Sequence, residues 1–336
     1  MHNPLSVTAG IKPAMTERGG VTAKTIAARR TGTVPARLHA MPKTLVLLNA
    51  RAGTLLDSGT DAVVSALKSA LGGGGEAPEI RLLAPKEMAG AIAQAARGDC
   101  DTLVIGGGDG SVSAAAAALA GGDKILGVLP FGTLNLLAHD LGMPREPQEA
   151  IAALAGAKPR RIDLASVDGR PFHSLSGLGF FSQMARAREE VRGHPLGRFL
   201  GVGLAALRAL RRTETFTLDI SADGRHAQLA ALAVLVTNNR FGPDWRRERL
   251  DGGVLEILIA ENAGALAKLK ASAELVTGAW RESVGIRSIV TRNLTIRRHR
   301  HRVWAATDGE LSREPIPLRY EIMPGALNAL AVARPA

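Results

Sequence analysis

The chain has 336 residues, enough for two domains that each bury a core of ordinary size, and its 46% hydrophobic content with mean hydropathy +0.07 is that of a globular protein. The 42 Lys+Arg against 31 Asp+Glu give a net charge of +11, a field that draws polyanions. Aromatic residues make up only 3%, which leaves no stacking platform for single-stranded nucleic acid; no nucleic-acid partner is expected, and nucleotides and anionic membranes remain. The single cysteine, Cys100, excludes an internal disulfide and a cysteine-based zinc site.

No apolar run reaches the ~20 residues that span a bilayer, and the N-terminus lacks an apolar signal core, so a cytoplasmic location is expected. Residues 1–41 hold Lys12, Arg18, Lys24, Arg29, Arg30 and Arg37 against one acid, Glu17, with no apolar period. They read as a disordered basic arm, either a membrane tether or an extension ahead of a start at Met41. The arm's "GGVTAKT" is not a P-loop, because Ala23 stands where the glycine before the lysine is required and no strand precedes it.

From Thr44 the pattern alternates. Strands are expected over 44–49, 79–84, 101–105 and 124–130, and helices over 60–71, 85–97 and 111–120, the first stopped by glycines 72–75 and the second opened by Pro85. Strand alternating with helix implies an α/β domain over 42–158 with a parallel sheet. After Pro159 the chain turns strand-rich, with runs at 216–221, 231–236, 254–259, 293–297 and 318–322, and helical periods at 180–191, 196–211 and 265–277. That pattern predicts a second, mainly antiparallel β domain over 159–333. The cleft between the two is the default place for chemistry.

Two glycine-rich turns stand out in the first half. "VIGGGDGS" (104–111) and "PFGTLNLLAHDLGMP" (130–144) each leave the carboxyl end of an expected strand and enter a helix, where unpaired N–H groups and the helix dipole favour anions. Glycine lets the backbone approach phosphate closely. Asp109 would repel phosphate unless a divalent cation or a ribose hydroxyl lies between them; a tight turn with a capping Asp explains one such loop as well. The dinucleotide fingerprint is incomplete, since Ser111 stands where its last glycine would be. Two such loops on neighbouring strands favour a phosphate site over two coincidental turns.

These motifs resemble the diacylglycerol kinase catalytic-domain family, which includes bacterial diacylglycerol kinases and the sphingosine and ceramide kinases. "GGDGS" (107–111) is similar to the family's GGDGT, the segment from Pro130 to its P-x-GTxN, and "NARAG" (49–53) to its N-P-x-S/A-G loop. The stretch 161–185 resembles the opening of its second domain, and "ATDGEL" (306–311) its late D-G-E motif. The resemblance spans roughly residues 43–333. It implies an NAD kinase/diacylglycerol kinase-like fold, with ATP and Mg²⁺ bound between two domains and the γ-phosphoryl group passed to a lipid hydroxyl. Asn49, Gly107, Gly108, Asp109, Gly110, Ser111, Gly132, Thr133 and Asn135 would line the nucleotide site. Asp109 and Asp163 would hold Mg²⁺ through water, Asp308 would take the acceptor's proton and Glu310 would support it. These roles fit phosphoryl transfer, which needs positioning, charge neutralisation and a carboxylate beside the nucleophile.

Taken alone, Asp308-Gly309 is an ordinary turn dipeptide. Arg240, Arg246, Arg247 and Arg249 read as a solvated loop or as phosphate contacts, and His299 and His301 in "RRHRHR" as a basic exposed turn. The chain also departs from the family. Leu136 replaces a carboxylate of the Mg²⁺ network, and the L-D-D-G segment of a structural metal is here Leu250-Asp251-Gly252-Gly253, leaving only Asp251 of its two acids. The first reading is a lipid kinase meeting its substrate at the anionic inner membrane surface, with the apolar and basic stretch 179–212 near headgroups. A kinase for a soluble acceptor, of the NAD kinase type, and an inactive nucleotide or lipid sensor are the alternatives. The oligomeric state is open, a homodimer included.

Overall fold

The computed structural model describes residues 43–72, 77–133, 135–190, 215–242, 246–261 and 286–333. The expected arm and the helical periods at 196–211 and 265–277 lie outside the described residues.

The first half alternates as its sequence predicts. Strand β1 (Thr44–Asn49) leads through the short helix α1 (Gly53–Ser58) to α2 (Thr60–Leu71), and β2 (Glu79–Leu83) leads to α3 (Pro85–Arg97). Helix α3 opens as its residues dictate: Pro85 needs no amide partner in the first turn, and the Glu87 carboxylate accepts the Ala84 N–H at 2.8 Å. Strand β3 (Thr102–Gly107), helix α4 (Asp109–Leu119) and strand β4 (Ile125–Pro130) complete the repeat, followed by α5 (Leu136–Asp140) and α6 (Pro147–Gly156). Strands β1, β3 and β4 are apolar runs buried almost throughout, as expected where helices cover both faces. All four strands are parallel, in the order β4-β3-β1-β2. From β1 the chain steps outward on one side to β2 and on the other to β3. The carboxyl ends of β1 and β3 therefore flank a topological switch point, where open α/β sheets bind ligands.

The second half is antiparallel. It contains β5 (Lys158–Val167), β6 (Arg170–Phe172), β7 (Leu175–Gly179), helix α7 (Phe180–Glu190), β8 (Phe216–Ala222), β9 (Arg225–Asn238), β10 (Leu255–Glu261), β11 (Ile286–Thr291), β12 (Asn293–Arg297), β13 (Arg302–Thr307), β14 (Glu310–Pro315) and β15 (Leu318–Ala331). The sequence pattern passed over β5, β6, β7, β11, β13 and β14, and it gave only the first five residues of β15. That last strand is longer because it serves both halves: Leu318–Met323 pair with neighbours in the antiparallel half, while Asn328 and Ala329 pair parallel with Ile125 and Leu126 of β4. One hydrogen-bonded sheet of 15 strands thus runs through the whole described chain.

Two apolar cores lie along it. Leu47, Ile105, Val128 and Leu154 belong to the first, with Ile162 and Leu164 of β5 and Leu327 and Leu330 of β15. The second gathers Ala165, Val167, Leu218, Val236, Ile257 and Tyr320. Strands β5 and β15 therefore cross from one core to the other as a pair, and the pairing slips between Met323 and Leu327 where they cross. A bulge is the ordinary way to bend a ladder at such a point. Gly325 supplies it with φ 58°, a conformation other residues avoid.

Asp163 fixes this crossing. Its Oδ1 accepts the Gly325 N–H at 2.7 Å, and its Oδ2 accepts the Gly253 N–H at 2.7 Å and the Asn239 Nδ2–H at 3.1 Å. The residue is 2% exposed, so no water replaces these partners. Asp163→Ala strands several buried donors at once and is expected to lower unfolding free energy by roughly 3–5 kcal/mol, read as a shift in urea midpoint. Asp163→Asn should also destabilise, because an amide cannot accept from all three.

Candidate functional site

The site forms where β1, β3 and β4 end. Asn49 closes β1, and its Oδ1 accepts the Arg51 N–H at 3.0 Å. A Cβ on Gly107 would lie 3.2 Å from Ser111 Oγ and 3.5 Å from Asn49 Cβ, so these three share one pocket floor at the switch point. Gly108 is the N-cap of α4, and the amides of Asp109, Gly110 and Ser111 form its first turn. Helix start and bare backbone thus coincide, as anion binding requires.

The two glycine loops touch. A Cβ on Gly132 would lie 2.5 Å from Gly108 Cα and 2.8 Å from Asn135 Oδ1, so only glycine allows this approach. Asp109 fastens the second loop to the first: its Oδ2 accepts the Asn135 N–H at 3.2 Å and its Oδ1 the Leu136 N–H at 3.0 Å. Asn135, held at φ 51°, turns its side chain back into its own loop. Its Oδ1 accepts the Gly132 N–H at 2.8 Å while Nδ2 donates to the carbonyls of Pro130 and Gly132. Asp109 and Asn135 therefore shape the loops, and Thr133 stands exposed between them.

The D-G-E segment approaches α4 from the other half. Asp308 and Gly309, at φ 48° and 87°, form the two-residue turn between β13 and β14, the geometry a tight hairpin prefers. The turn reading and the site reading of this dipeptide thus hold together. The two carboxylates have opposite settings. Asp308 is buried; its Oδ2 accepts Ser113 Oγ–H at 2.8 Å and the His173 N–H at 2.9 Å, and its Oδ1 accepts the N–H groups of Ser174 at 2.9 Å and Leu175 at 3.2 Å. These donors fill the acceptor positions of a carboxylate. Glu310 is exposed, and its Oε1 lies 3.1 Å from where a Gly110 Cβ would be. It faces the first turn of α4.

A polar chain that the sequence did not announce holds these parts in register. Arg247, 1% exposed, binds Asp140 at the end of α5 twice, through its N–H at 3.1 Å and its Nε at 2.7 Å, and donates through Nη1 to the His173 carbonyl at 2.7 Å. Of the arginines read as solvated or phosphate-facing, Arg247 is neither. It is buried because Asp140 supplies the matching charge. Arg240 approaches Glu256 at 3.7 Å, and Arg249 pairs with Asp251. Burial first, and then the positive charges of Arg145 and Arg246, hold His139 below the usual imidazole range. Those guanidinium groups therefore share the neighbourhood of α5 and make it electropositive.

The expected metal ligands have different settings. Asp163 sits at the strand crossing with its oxygens occupied by Gly253, Gly325 and Asn239, and it shares none of Asp109's hydrogen-bond partners. Among the described residues no three His, Cys, Asp or Glu gather as a metal cage would need. Magnesium carried by a nucleotide needs only one or two carboxylates and keeps water; Asp109, in the first turn of α4, and Glu310, facing that turn, are the acids that would serve it. The structural metal does not fit. Asp251 pairs with Arg160 and Arg249, each at 3.2 Å; partial burial pushes its carboxyl up, but these two guanidinium groups outweigh that and hold it below the usual carboxylate range. With Gly252 in place of the second acid, arginine supplies the positive charge there.

Two outcomes follow. Gly132→Ala drives a methyl group into Gly108 and should cost about 1–3 kcal/mol by urea unfolding, whereas Gly90→Ala, on an open helix face, should be neutral or stabilising. Chelation with EDTA should leave the melting temperature of the nucleotide-free chain unchanged. A large drop would mean that a metal does hold the 250–253 loop.

Residues 43–167 match the model of the diacylglycerol kinase catalytic domain, and residues 182–331 match that of the YegS C-terminal NAD kinase beta sandwich-like domain. A probable lipid kinase YegS-like of Pseudomonas aeruginosa (strain UCBPP-PA14) is 32% identical over 248 residues, covering 68% of this chain and 75% of that protein. A diacylglycerol kinase of Bacillus subtilis (strain 168) is 29% identical over 185 residues, 52% of this chain and 59% of its own length. Two other relatives are matched over only 47% and 56% of their lengths. The fold is shared with a solved diacylglycerol kinase of Bacillus anthracis str. Sterne at TM-score 0.64 and 20% identity, covering 86% of this chain and 96% of that one, and with a second structure from the same source at TM-score 0.70 and 19% identity, covering 89% and 98%. The glycine loops at the switch point, the D-G-E hairpin beside them and the extent of the match to the Pseudomonas relative lead to one conclusion: this chain belongs to the diacylglycerol kinase catalytic-domain family, with the YegS-like lipid kinases.

Proposed function

We propose that the chain is an ATP- and Mg²⁺-dependent lipid kinase, moving the γ-phosphoryl group of ATP to the hydroxyl of a membrane lipid such as diacylglycerol or ceramide. The observation that carries this reading is the meeting of three features at one switch point: the bare first turn of α4, the second glycine loop locked against it, and the Glu310 carboxylate facing that turn from the other half. Amides of Gly108, Asp109 and Gly110 at the start of α4 would hold phosphate oxygens, and Asn49 and Thr133 would border the nucleotide. Mg²⁺ bound with ATP would neutralise charge on the phosphates, with Asp109 and Glu310 as the nearby carboxylates.

In the transfer, the lipid oxygen bonds to the γ-phosphorus as its bond to the bridging oxygen of ADP breaks, and the hydroxyl proton passes to a carboxylate. A base needs a lone pair within hydrogen-bond reach of that hydroxyl. Exposed Glu310, with its lone pairs open, is the better candidate for that base, while Asp308, occupied by Ser113, His173, Ser174 and Leu175, would aim the hairpin that presents it. Among the described residues no helix is long and apolar enough to cross a membrane. A peripheral association with the inner membrane surface suits a substrate that stays in the bilayer and a protein of net charge +11.

The experiment is transfer of labelled γ-phosphate from ATP into a total lipid extract in mixed micelles, with NAD in detergent-free buffer as the soluble comparison. Labelled lipid supports the reading; label only in NAD returns the soluble acceptor. Glu310→Gln should lower kcat by roughly 10²-fold or more with an unchanged melting temperature, whereas Asp308→Asn should lower both. Loss of kcat at full stability in Asp308→Asn, with a mild Glu310→Gln, would give the proton-accepting role back to Asp308.

A further inference from the structure

His173 lies at the joint between β6 and β7, and its main chain is held on both sides. Its N–H donates to Asp308 Oδ2 at 2.9 Å, and its carbonyl accepts from Arg247 Nη1 at 2.7 Å and Asn238 Nδ2 at 2.9 Å. These bonds fix where the side chain starts, and the residue is 1% exposed. Neither Nδ1 nor Nε2 of the ring has a hydrogen-bond partner among the described residues. Nε2 stands 3.6 Å from Asp308 Oδ2, too far for a charge-assisted bond of about 2.7–2.9 Å. Ser174 Oγ and Arg247 Nη2 are also buried without a partner, and elsewhere among the described residues only Thr44 Oγ1 is.

Unpaired buried polar atoms cost stability, and an apolar ring would fill the same space without that cost. Their gathering beside Asp308 asks for a use, because proteins keep such departures where function needs them. We infer that the His173 imidazole is a positioning residue, a reserve donor to Asp308 Oδ2 that keeps the D-G-E hairpin, and Glu310 with it, aimed at α4 when the Ser113 hydroxyl lets go. The bonds of Asp308 point to this arrangement. Its Oδ1 accepts the amides of Ser174 and Leu175, and its Oδ2 accepts the His173 amide and Ser113 Oγ–H. Three of these donors are main chain of the β half, to which the hairpin is already paired through β7. Ser113 is the one from α4, the helix whose first turn would hold phosphate, so any shift of α4 on loading reaches Asp308 through Ser113. The His173 ring faces the oxygen that Ser113 would leave. With the proton on Nε2, a movement of under about 1 Å from the present 3.6 Å makes the bond, and the hairpin keeps a full set of donors. The role rests on the lipid-kinase reading, since it is the aim of Glu310 as base that the ring protects.

The test is a double-mutant cycle on the full chain with Ser113→Ala and His173→Phe, the second keeping an aromatic ring and removing both nitrogens. Order of the hairpin is read without nucleotide, as amide hydrogen exchange of peptides covering residues 306–311. The double variant should exchange roughly tenfold faster than the product of the two single effects predicts, the coupling expected of donors that share one acceptor. In the labelled-phosphate assay His173→Phe should lower kcat by roughly tenfold, part of the ~10²-fold that 1 Å of misplacement can cost, with KM for ATP unchanged and no fall in melting temperature. His173→Gln, which returns a donor, should recover most of that kcat, although packing alone would favour phenylalanine. A His173→Gln no more active than His173→Phe, or hairpin exchange in the double variant equal to the product of the single effects, overturns the inference. Where the phenyl ring prevents folding, His173→Leu takes its place in the cycle. If the wild type labels no lipid, the lipid-kinase reading falls while the exchange cycle still decides on the donor, so the two failures are distinguishable.

Discussion

The site depends on one buried charge pair. Arg247 has no access to water, and it is tolerable inside the protein because Asp140 meets it through two bonds. The pair is one link in a closed circuit. Asp109, in the first turn of α4, binds the amides that open α5; Asp140 ends α5 and binds Arg247; Arg247 binds the carbonyl of His173; the amide of His173 binds Asp308; and Asp308 returns to α4 through Ser113. Removing one partner of a buried ion pair typically costs about 3–5 kcal/mol, a large share of the roughly 5–15 kcal/mol that holds a domain folded. The circuit therefore fixes how the β half meets the glycine loops, and the position of Glu310 follows from it.

The same circuit divides labour among the acids. A carboxylate surrounded by N–H donors is a good anchor and a poor base, because its lone pairs are spent. Asp163 and Asp308 are both of this kind: one holds the strand crossing and the other holds the hairpin. Asp109 spends an oxygen on each of two amides and still lies at the mouth of an anion site. Glu310 alone of the D-G-E pair is exposed. Motif membership does not separate these roles, since all four are acids in motif-like surroundings; their partners do.

Regular elements of the first half were legible because each apolar run or helical period was local and was bounded by glycine or proline. The predicted helix over 85–97 matches α3 residue for residue. The glycine loops were legible for a related reason, since bare backbone after a strand has few uses. What stayed hidden depends on contacts distant in sequence. Strand β5 begins with Lys158, Pro159, Arg160 and Arg161 and does not look like a strand until β15 is known to pair with it. The end of β15 reads as a tail, yet it completes the first core. Arg247 lies among three charged neighbours in "RRERL", where composition points to solvent; only Asp140, 107 residues earlier, makes it a core residue. The parts of His173 and Ser113 were hidden, because His173 acts through its backbone amide and carbonyl and Ser113 through a single hydroxyl.

The two departures from the family pattern share a physical direction. Leu136 in place of an acid leaves Asp109 as the carboxylate there, satisfied by the backbone amides of Asn135 and Leu136, and Gly252 in place of an acid leaves Asp251 to be neutralised by Arg160 and Arg249. Each change removes negative charge and leaves the remaining carboxylate satisfied by the protein's own donors. Around α5, burial first and then the positive charges of Arg145 and Arg246 disfavour protonation of His139. Fixed amide and guanidinium donors thus satisfy the acids that remain, Asp109 through two backbone amides and Asp251 through two arginines.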